Sequence, residues 1–544
     1  MKKIFFAAVL LVCAIFAGAQ TIHDPNGEIY RDIERWSVQG YIKEFLPVTR
    51  PYPMPVIDAI LDQVAAYGDT EAQNRAAAYR EVLAPGARFI HPGFESYLDG
   101  KNSEYGFIGG PFAEGAFRLN SILNGSYNLT FYGLTDEAGG NFNVPGTYSP
   151  YQDFVYDVSN IGKIQIAQNW TSLFSIGNSN IYFQGGLARA SYGPFYDNGV
   201  VVGPQAPRAG HFGFVYRQPR WSFEILYMAI SASDDFGTGI FPNKSLIIHT
   251  INFRPVQKLE LGFTQSLVWG GRMELLYLVP FTFLFASQTI IDFDDNAQLG
   301  LYFNWKPFNT FNVKGIFYAD DISFNGFFTG DMKIKAAGEL GITWAPFKSV
   351  LSRLDFDYTA VFPYTYTHWS LPKDYIYEKG KPNYMNYTHL GKNIGPDLEP
   401  NSDRVSVRSS WNTFKGVDLN VSGYLIRHAN ASAGKDDITG SPVYGTPGEG
   451  DGSIFDHGTA TLPGSDTGAP KYDMNPHIYG WYLTQDLIES RLGCTIGISW
   501  KYPTKFGVFS LTGEYGAEYG WNRGLADGDK GLDHFWSVGG KWVW

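Results

Sequence analysis

The chain carries an export leader and, after it, no apolar run long enough to cross a bilayer as a helix. Lys2 and Lys3 precede an apolar stretch at 4–16 and the small-x-small site Ala17-Gly18-Ala19. Residues 1–19 therefore read as a cleaved signal peptide, with the mature chain starting at Gln20. Val12, which is not small, precedes Cys13, so Cys13 does not read as a lipid-attachment site. Its removal leaves Cys494 alone, and no intramolecular disulfide can staple the mature chain. Beyond residue 20 the longest apolar candidate, 275–286, is broken by Pro280, whereas a spanning helix needs about 20 apolar residues. An exported chain of this kind is either soluble or a closed β-barrel, the other structure that satisfies its backbone in lipid.

Composition narrows this further. Of 544 residues, 17% are aromatic and 17% charged, against about 25% charged in ordinary domains. Mean hydropathy is −0.17. Abundant rings exclude disorder, and the negative hydropathy argues against a helix bundle in the membrane. Aromatic girdles, polar loops and 62 glycines suit a barrel. Without Lys2 and Lys3 the 53 acidic residues face 40 basic ones, a net charge of −13. That disfavours nucleic acid as a partner, because phosphate binding needs clustered cations.

Period-two patterning is present throughout. Leu299, Leu301, Phe303 and Trp305 alternate with Gln298, Gly300, Tyr302 and Asn304; Leu340, Ile342 and Trp344 do the same, as do alternate positions from Leu511 to Tyr519. A soluble sandwich shows such alternation too, so the connections matter more. An aromatic residue followed closely by proline recurs at Tyr216/Pro219, Phe253/Pro255, Trp305/Pro307, Trp344/Pro346 and Trp500/Pro503, each ahead of a new alternating run. The opposite strand ends lead into long polar segments at 134–158, 191–210, 319–336, 362–403 and 428–490. Short turns at one end, long loops at the other and aromatic belts are the marks of an outer-membrane barrel. The C-terminal pattern Ser537-Val538-Gly539-Gly540-Lys541-Trp542-Val543-Trp544 resembles the terminal strand by which such barrels are recognised for assembly, through Ser537, Gly539, Trp542 and Trp544. At about 25 residues per strand with its connection, and with the even count typical of bacterial barrels, about 16 to 18 antiparallel strands are expected, 18 being favoured.

The N-terminal segment differs in kind. Residues 20–93 read as a small α-helical bundle on the periplasmic side, ahead of a barrel at 94–544. Its helices are expected over 28–41, from Pro55 to Gly68, and from Asp69 or Thr70 to Leu83 before Pro85-Gly86. The bundle is expected to close the periplasmic mouth of the barrel.

No catalytic signature is found: there is no Gly-x-Ser-x-Gly, His-Glu-x-x-His or Walker loop. The ten histidines form no metal pattern, Asp320-Asp321 and Asp451-Gly452 are too isolated for calcium, and His249 reads as structural. Neither a catalytic residue, a metal nor a cofactor is expected. Candidate ligand residues are of two kinds. Trp269, Arg272 and Glu274 belong to a Gly-Gly segment; if its strand is regular, Arg272 and Glu274 share a face, which must be the lumen. The loop aromatics Tyr364, Tyr366, Trp369, Tyr375, Tyr377, Tyr384 and Tyr387 offer ring faces and hydroxyls suited to sugars. His389 and Asp397 lie in the polar, glycine-spaced stretch that follows.

Through Asp32-Ile33-Glu34-Arg35-Trp36, Ala209-Gly210-His211-Phe212, the hairpin at 216–227, the segment at 269–281 and Thr388-His389-Leu390-Gly391 to Asp397, the chain resembles the capsule-assembly Wzi family of outer-membrane proteins. The order of these motifs carries the likeness over most of the mature chain, and the 428–490 loop has no counterpart in it. The resemblance implies an 18-stranded outer-membrane barrel with a periplasmic helical bundle. It also implies a lectin-like, non-enzymatic role in attaching capsular or other surface polysaccharide. The expected partners are outer-membrane lipid, that polysaccharide and the barrel-assembly machinery; a porin or small-solute channel is the alternative.

Overall fold

The computed structural model describes residues 24–25, 27–83, 88–119, 122–135, 159–161, 164–231, 244–291, 293, 295–320, 335–363, 365–368, 385–414, 416–429, 432–435, 442–444, 482–483, 485 and 487–544. The expected signal peptide lies outside them.

Three helices come first, α1 (Glu28–Val38), α2 (Met54–Tyr67) and α3 (Thr70–Leu83). Pro53 and Pro55 bracket the start of α2, where a missing N–H costs nothing, and Gly68 ends it. The Asp69 carboxylate accepts from the Ala72 N–H at 2.9 Å and so caps α3. Tyr30, Ile33, Trp36, Val56, Ile57 and Val64 form the apolar centre of the bundle.

Eighteen antiparallel strands then close into one barrel. They are β1 (Arg88–Lys101), β2 (Glu104–Leu119), β3 (Leu123–Leu134), β4 (Ile164–Gly177), β5 (Ile181–Ala188), β6 (Ala209–Arg217), β7 (Trp221–Ile230), β8 (Lys244–Val256) and β9 (Leu259–Gly270). The second half comprises β10 (Asn296–Phe308), β11 (Phe311–Asp320), β12 (Lys335–Trp344), β13 (Leu351–Val361), β14 (Ser402–Phe414), β15 (Val417–His428), β16 (Glu489–Thr504), β17 (Gly507–Trp521) and β18 (Lys530–Val543). Among the described residues no helix is long and apolar enough to cross a membrane.

The first strand begins at Arg88 rather than at 94. Pro92 lies inside it because β18 has already run out there: the β1–β18 pairing starts at Gly93↔Val543, so Pro92 sits where its missing N–H breaks no ladder. The Trp544 N–H donates to the Pro92 carbonyl at 2.9 Å and ends the seam. Prolines near the short turns have a similar place, since the ladder shifts register between Phe253 and Val256, and between Trp305 and Phe308.

Exposed Phe253, Trp305, Trp344, Trp500 and Trp544 stand on the outer wall near the short-turn end as one aromatic belt. On the closing strand Trp542 and Trp544 point outward, while Ser537 and Gly539 point into the lumen. A Cβ on Gly539 would stand 2.6 Å from both the Tyr97 ring and the Thr512 hydroxyl. Gly539→Val is therefore expected to overpack the seam by about 1–3 kcal/mol, read as a lower urea midpoint for the heat-modifiable folded band on gels. An unchanged midpoint would mean that Tyr97 and Thr512 give way without cost.

Candidate functional site: a lumen occupied from both ends

The helices do not cap the barrel from outside; they sit within its short-turn mouth, and the inner wall is built to hold them. Lumen-facing positions carry the holding groups. Glu224 of β7 accepts the Val48 N–H at 2.9 Å. Arg254 of β8 donates to the carbonyls of Lys43 and Glu44 at 2.7 and 3.1 Å. Lys306 of β10 donates to the Ser37 hydroxyl at 2.7 Å, and Gln184 of β5 to the Pro51 carbonyl at 2.8 Å.

The strongest link centres on Glu34 of α1. Its carboxylate pairs with Arg50 at 2.8 Å and with Arg353 of β13. Arg353 in turn contacts Asp355 at 2.6 Å. Burial pushes the Glu34 carboxyl up, but the Arg353 and Arg50 guanidiniums more than reverse this and hold it below its ordinary value of 4.5.

From the opposite end, the segments at 189–208 and 385–400 turn inward and fill the lumen above the helices. Phe195, Val200, Val201, Val202, Ile394 and Leu398 pack there against Leu226, Leu246 and Val268 of the wall. Lys244 of β8 holds the second segment, donating to the Asn386 side chain at 2.8 Å and the Thr388 carbonyl at 2.9 Å. The two fillings meet. Thr49 and Arg50, from the helical leader, pair as a two-residue ladder with Tyr192 and Ser191 of the inward loop. The Gly193 N–H donates to the Val48 carbonyl at 2.8 Å, and the Arg50 guanidinium lies 3.3 Å over the Tyr196 ring.

On the other side of the lumen a polar chamber of about 340 Å³ remains between α1 and strands β13–β17. Glu34, Arg35, Asp197, Arg353, Arg408 and Glu514 are on its surface. Asp197 pairs with Arg408 at 3.1 Å. Burial raises its carboxyl, and Arg408, Lys314 and Arg353 together hold it well below the usual range. At the long-loop rim, an open basin of about 390 Å³ lies between the ends of β1, β16, β17 and β18. There Lys101 meets Asp533 at 3.1 Å and Arg523 meets Asp529 at 3.1 Å, with Arg491 and Glu518 alongside.

The sequence candidates are distributed differently from expectation. Arg272 and Glu274 do not face the lumen. Gly271 takes a positive φ of 74° and ends β9 at Gly270, so both residues leave the strand for a loop, where Arg272 pairs with Asp295. Trp269 is on the outward face, against Tyr227 and Tyr277. Tyr366 and Tyr387 are in the inward filling at 0% exposure, and their hydroxyls donate to the Val200 and Val201 carbonyls at 2.6 and 2.8 Å. Those rings are given to packing. His389 accepts from the Ser231 N–H at 2.9 Å, Asp397 is exposed, and Tyr364, Trp369, Tyr375, Tyr377 and Tyr384 lie outside the described residues. The Glu34–Arg353 pair and the approach of Lys101 to Asp533 at the rim escaped sequence reasoning because their members are far apart in the chain. No cluster of potential metal ligands occurs among the described residues.

The architecture defines the chain as an 18-stranded transmembrane barrel with a lumen-seated helical leader. Its fold is similar to that of Wzi, an outer-membrane protein involved in group 1 capsule assembly in Escherichia coli and described as a carbohydrate-binding β-barrel. Identity is 14% over 95% of this chain and 98% of that one, with a TM-score of 0.54. OccD3 of Pseudomonas aeruginosa matches 84% of this chain and 90% of its own at 9% identity and a TM-score of 0.44. OccAB2 of Acinetobacter baumannii matches 84% and 97% at 9% identity and a TM-score of 0.42. No protein-family model and no curated protein matches the chain. The helices lie at the short-turn end of this barrel and the rim basin at its long-loop end.

Because the Glu34 carboxyl is held low, the stability it adds is complete at neutral pH and is lost as pH falls below 4.5 through the folded value. Breaking such a buried pair costs about 3–5 kcal/mol. Glu34→Gln is expected to show at pH 7 the flickering conductance that the wild-type barrel shows only under acid, in planar bilayers. Equal traces for the two at both pH values would remove Glu34 as the lock.

Proposed function

We propose that this protein is a non-enzymatic outer-membrane barrel that binds capsular or other surface polysaccharide at the cell surface and helps to attach or assemble it. The observation that carries this reading is the meeting of the helical leader and the inward loop at Thr49–Arg50 and Ser191–Tyr192. A barrel filled along one side from both ends is organised for display rather than for diffusion. Charged and amide groups at the rim supply the directional donors and acceptors that sugar hydroxyls require, and the fold is shared with a carbohydrate-binding barrel. The partners of this reading are outer-membrane lipid, the polysaccharide and, through the β18 seam, the barrel-assembly machinery.

A second reading, a porin or channel for small solutes, draws on the chamber of about 340 Å³, whose charged lining suits hydrated ions. Two measurements separate them. Under the first reading, the intact barrel conducts little in planar bilayers, deletion of 24–83 raises conductance several-fold, and the triple variant Lys101→Ala, Arg491→Ala, Arg523→Ala sheds surface polysaccharide from cells while folding normally. High conductance of the intact barrel, with full retention of polysaccharide by the triple variant, would favour the channel.

A further inference from the structure

The loop between β9 and β10 neither covers the rim nor enters the lumen. It descends on the outside of the barrel. Side-chain parity fixes this: Phe223, Ile225 and Tyr227 of β7, Ile247 and His249 of β8, and Gln265, Leu267 and Trp269 of β9 all alternate with lumen-facing residues. They should face lipid, yet Phe223, Ile225, Ile247, Leu267 and Trp269 are buried in one cluster with Tyr277 and Leu284 of the loop. The Phe281 ring stacks on Phe223 at 4.1 Å. The covering segment carries the longest apolar run of the mature sequence, the one interrupted by Pro280.

The segment is itself apolar on its free side. Phe281 is 61% exposed and Ile290 78%, and Met273, Leu275, Val279 and Phe283 also face away from the wall. Its charges gather where it leaves the barrel: Arg272 pairs with Asp295, and its guanidinium lies 3.7 Å from the Phe293 ring. Irregular backbone persists in lipid only where its polar groups are satisfied. Pro280 has no N–H to satisfy. At the deepest point Gln265, midway along β9, donates to the Thr282 carbonyl at 2.6 Å and accepts from the Leu284 N–H at 2.8 Å. The Leu284–Ile290 helix bonds the groups that follow. An uncovered Gln265 beside His249 would be costly on a lipid-facing wall; beneath the loop Gln265 is a bidentate holder.

We propose that residues 271–291 form a re-entrant strap set into the acyl-chain layer of the outer leaflet and latched to the barrel wall by Gln265. Its occupant on the free side is lipid hydrocarbon, continuous with the lipid contacted by the neighbouring outward faces of β6 and β10. The strap thickens the barrel wall over β7–β9 and gives the protein a lipid contact that its strands alone do not provide.

Nitroxide labels test this in full-length protein reconstituted into phosphatidylcholine vesicles, in a Cys494→Ser background. A label at Phe283→Cys is expected to collide with oxygen more than with a water-soluble nickel chelate, and a rim label at Arg523→Cys to show the inverse ratio. Ile290→Cys repeats the measurement should Phe283→Cys not fold. Gln265→Leu is expected to loosen the strap, sharpening the spectrum of the Phe283→Cys label while the barrel stays heat-modifiable. A chelate-dominated ratio at both strap positions would overturn the insertion, and an unchanged spectrum in a folded Gln265→Leu barrel would overturn the latch.

Discussion

Closure of the hydrogen-bond ladder between the first and last strands is the constraint on which everything else rests. In hydrocarbon each unpaired backbone group costs several kcal/mol, so a sheet crossing the membrane must have no edge. Here the closing seam runs from Gly93↔Val543 to Lys101↔Phe535. It is narrow in tolerance, since Gly539 has no room for a Cβ. Closure also creates two unlike surfaces. One is apolar, edged with tryptophan; the other is a polar interior with enough width to need filling.

The way that interior is filled sets the functional reading. Charges such as Arg353, Arg254 and Glu224 face inward, where isolation would be expensive, and each is met by a group from the helical leader. The leader is thus held by a distributed set of polar contacts rather than by one apolar interface. The inward loops use the opposite strategy, an apolar and tyrosine-rich filling clamped by Lys244. Polar seating below and apolar filling above meet at a two-residue ladder. What is left for solvent is a charged chamber to one side and an exposed basin at the rim.

Much of this was legible in the residues. Alternation at 298–305 and 339–344, aromatic-proline turns and long opposite loops suffice for a barrel, whose length allows about 16 to 18 strands, and Pro55, Gly68 and Asp69 bound the helices within a few residues. The misplacement of Arg272 and Glu274 has a local cause: a glycine pair reads equally well as a bulge or a strand end, and the positive φ of Gly271 decides for the end. Tyr366 and Tyr387 were legible as loop aromatics but not as filling, because nothing near them in sequence says that the loop turns inward. Likewise the partners of Glu34, Arg50 nearby and Arg353 more than three hundred residues on, come together only once the barrel closes. Pairings of that range carry no local signal.

The central claim is that leader and inward loop meet inside the lumen, and amide hydrogen exchange in the intact, membrane-reconstituted chain tests it most directly. Peptides containing residues 48–50 and 191–193 are expected to exchange as slowly as the barrel strands. Exchange there as fast as at the rim turn 522–529 would contradict a lumen filled from both ends.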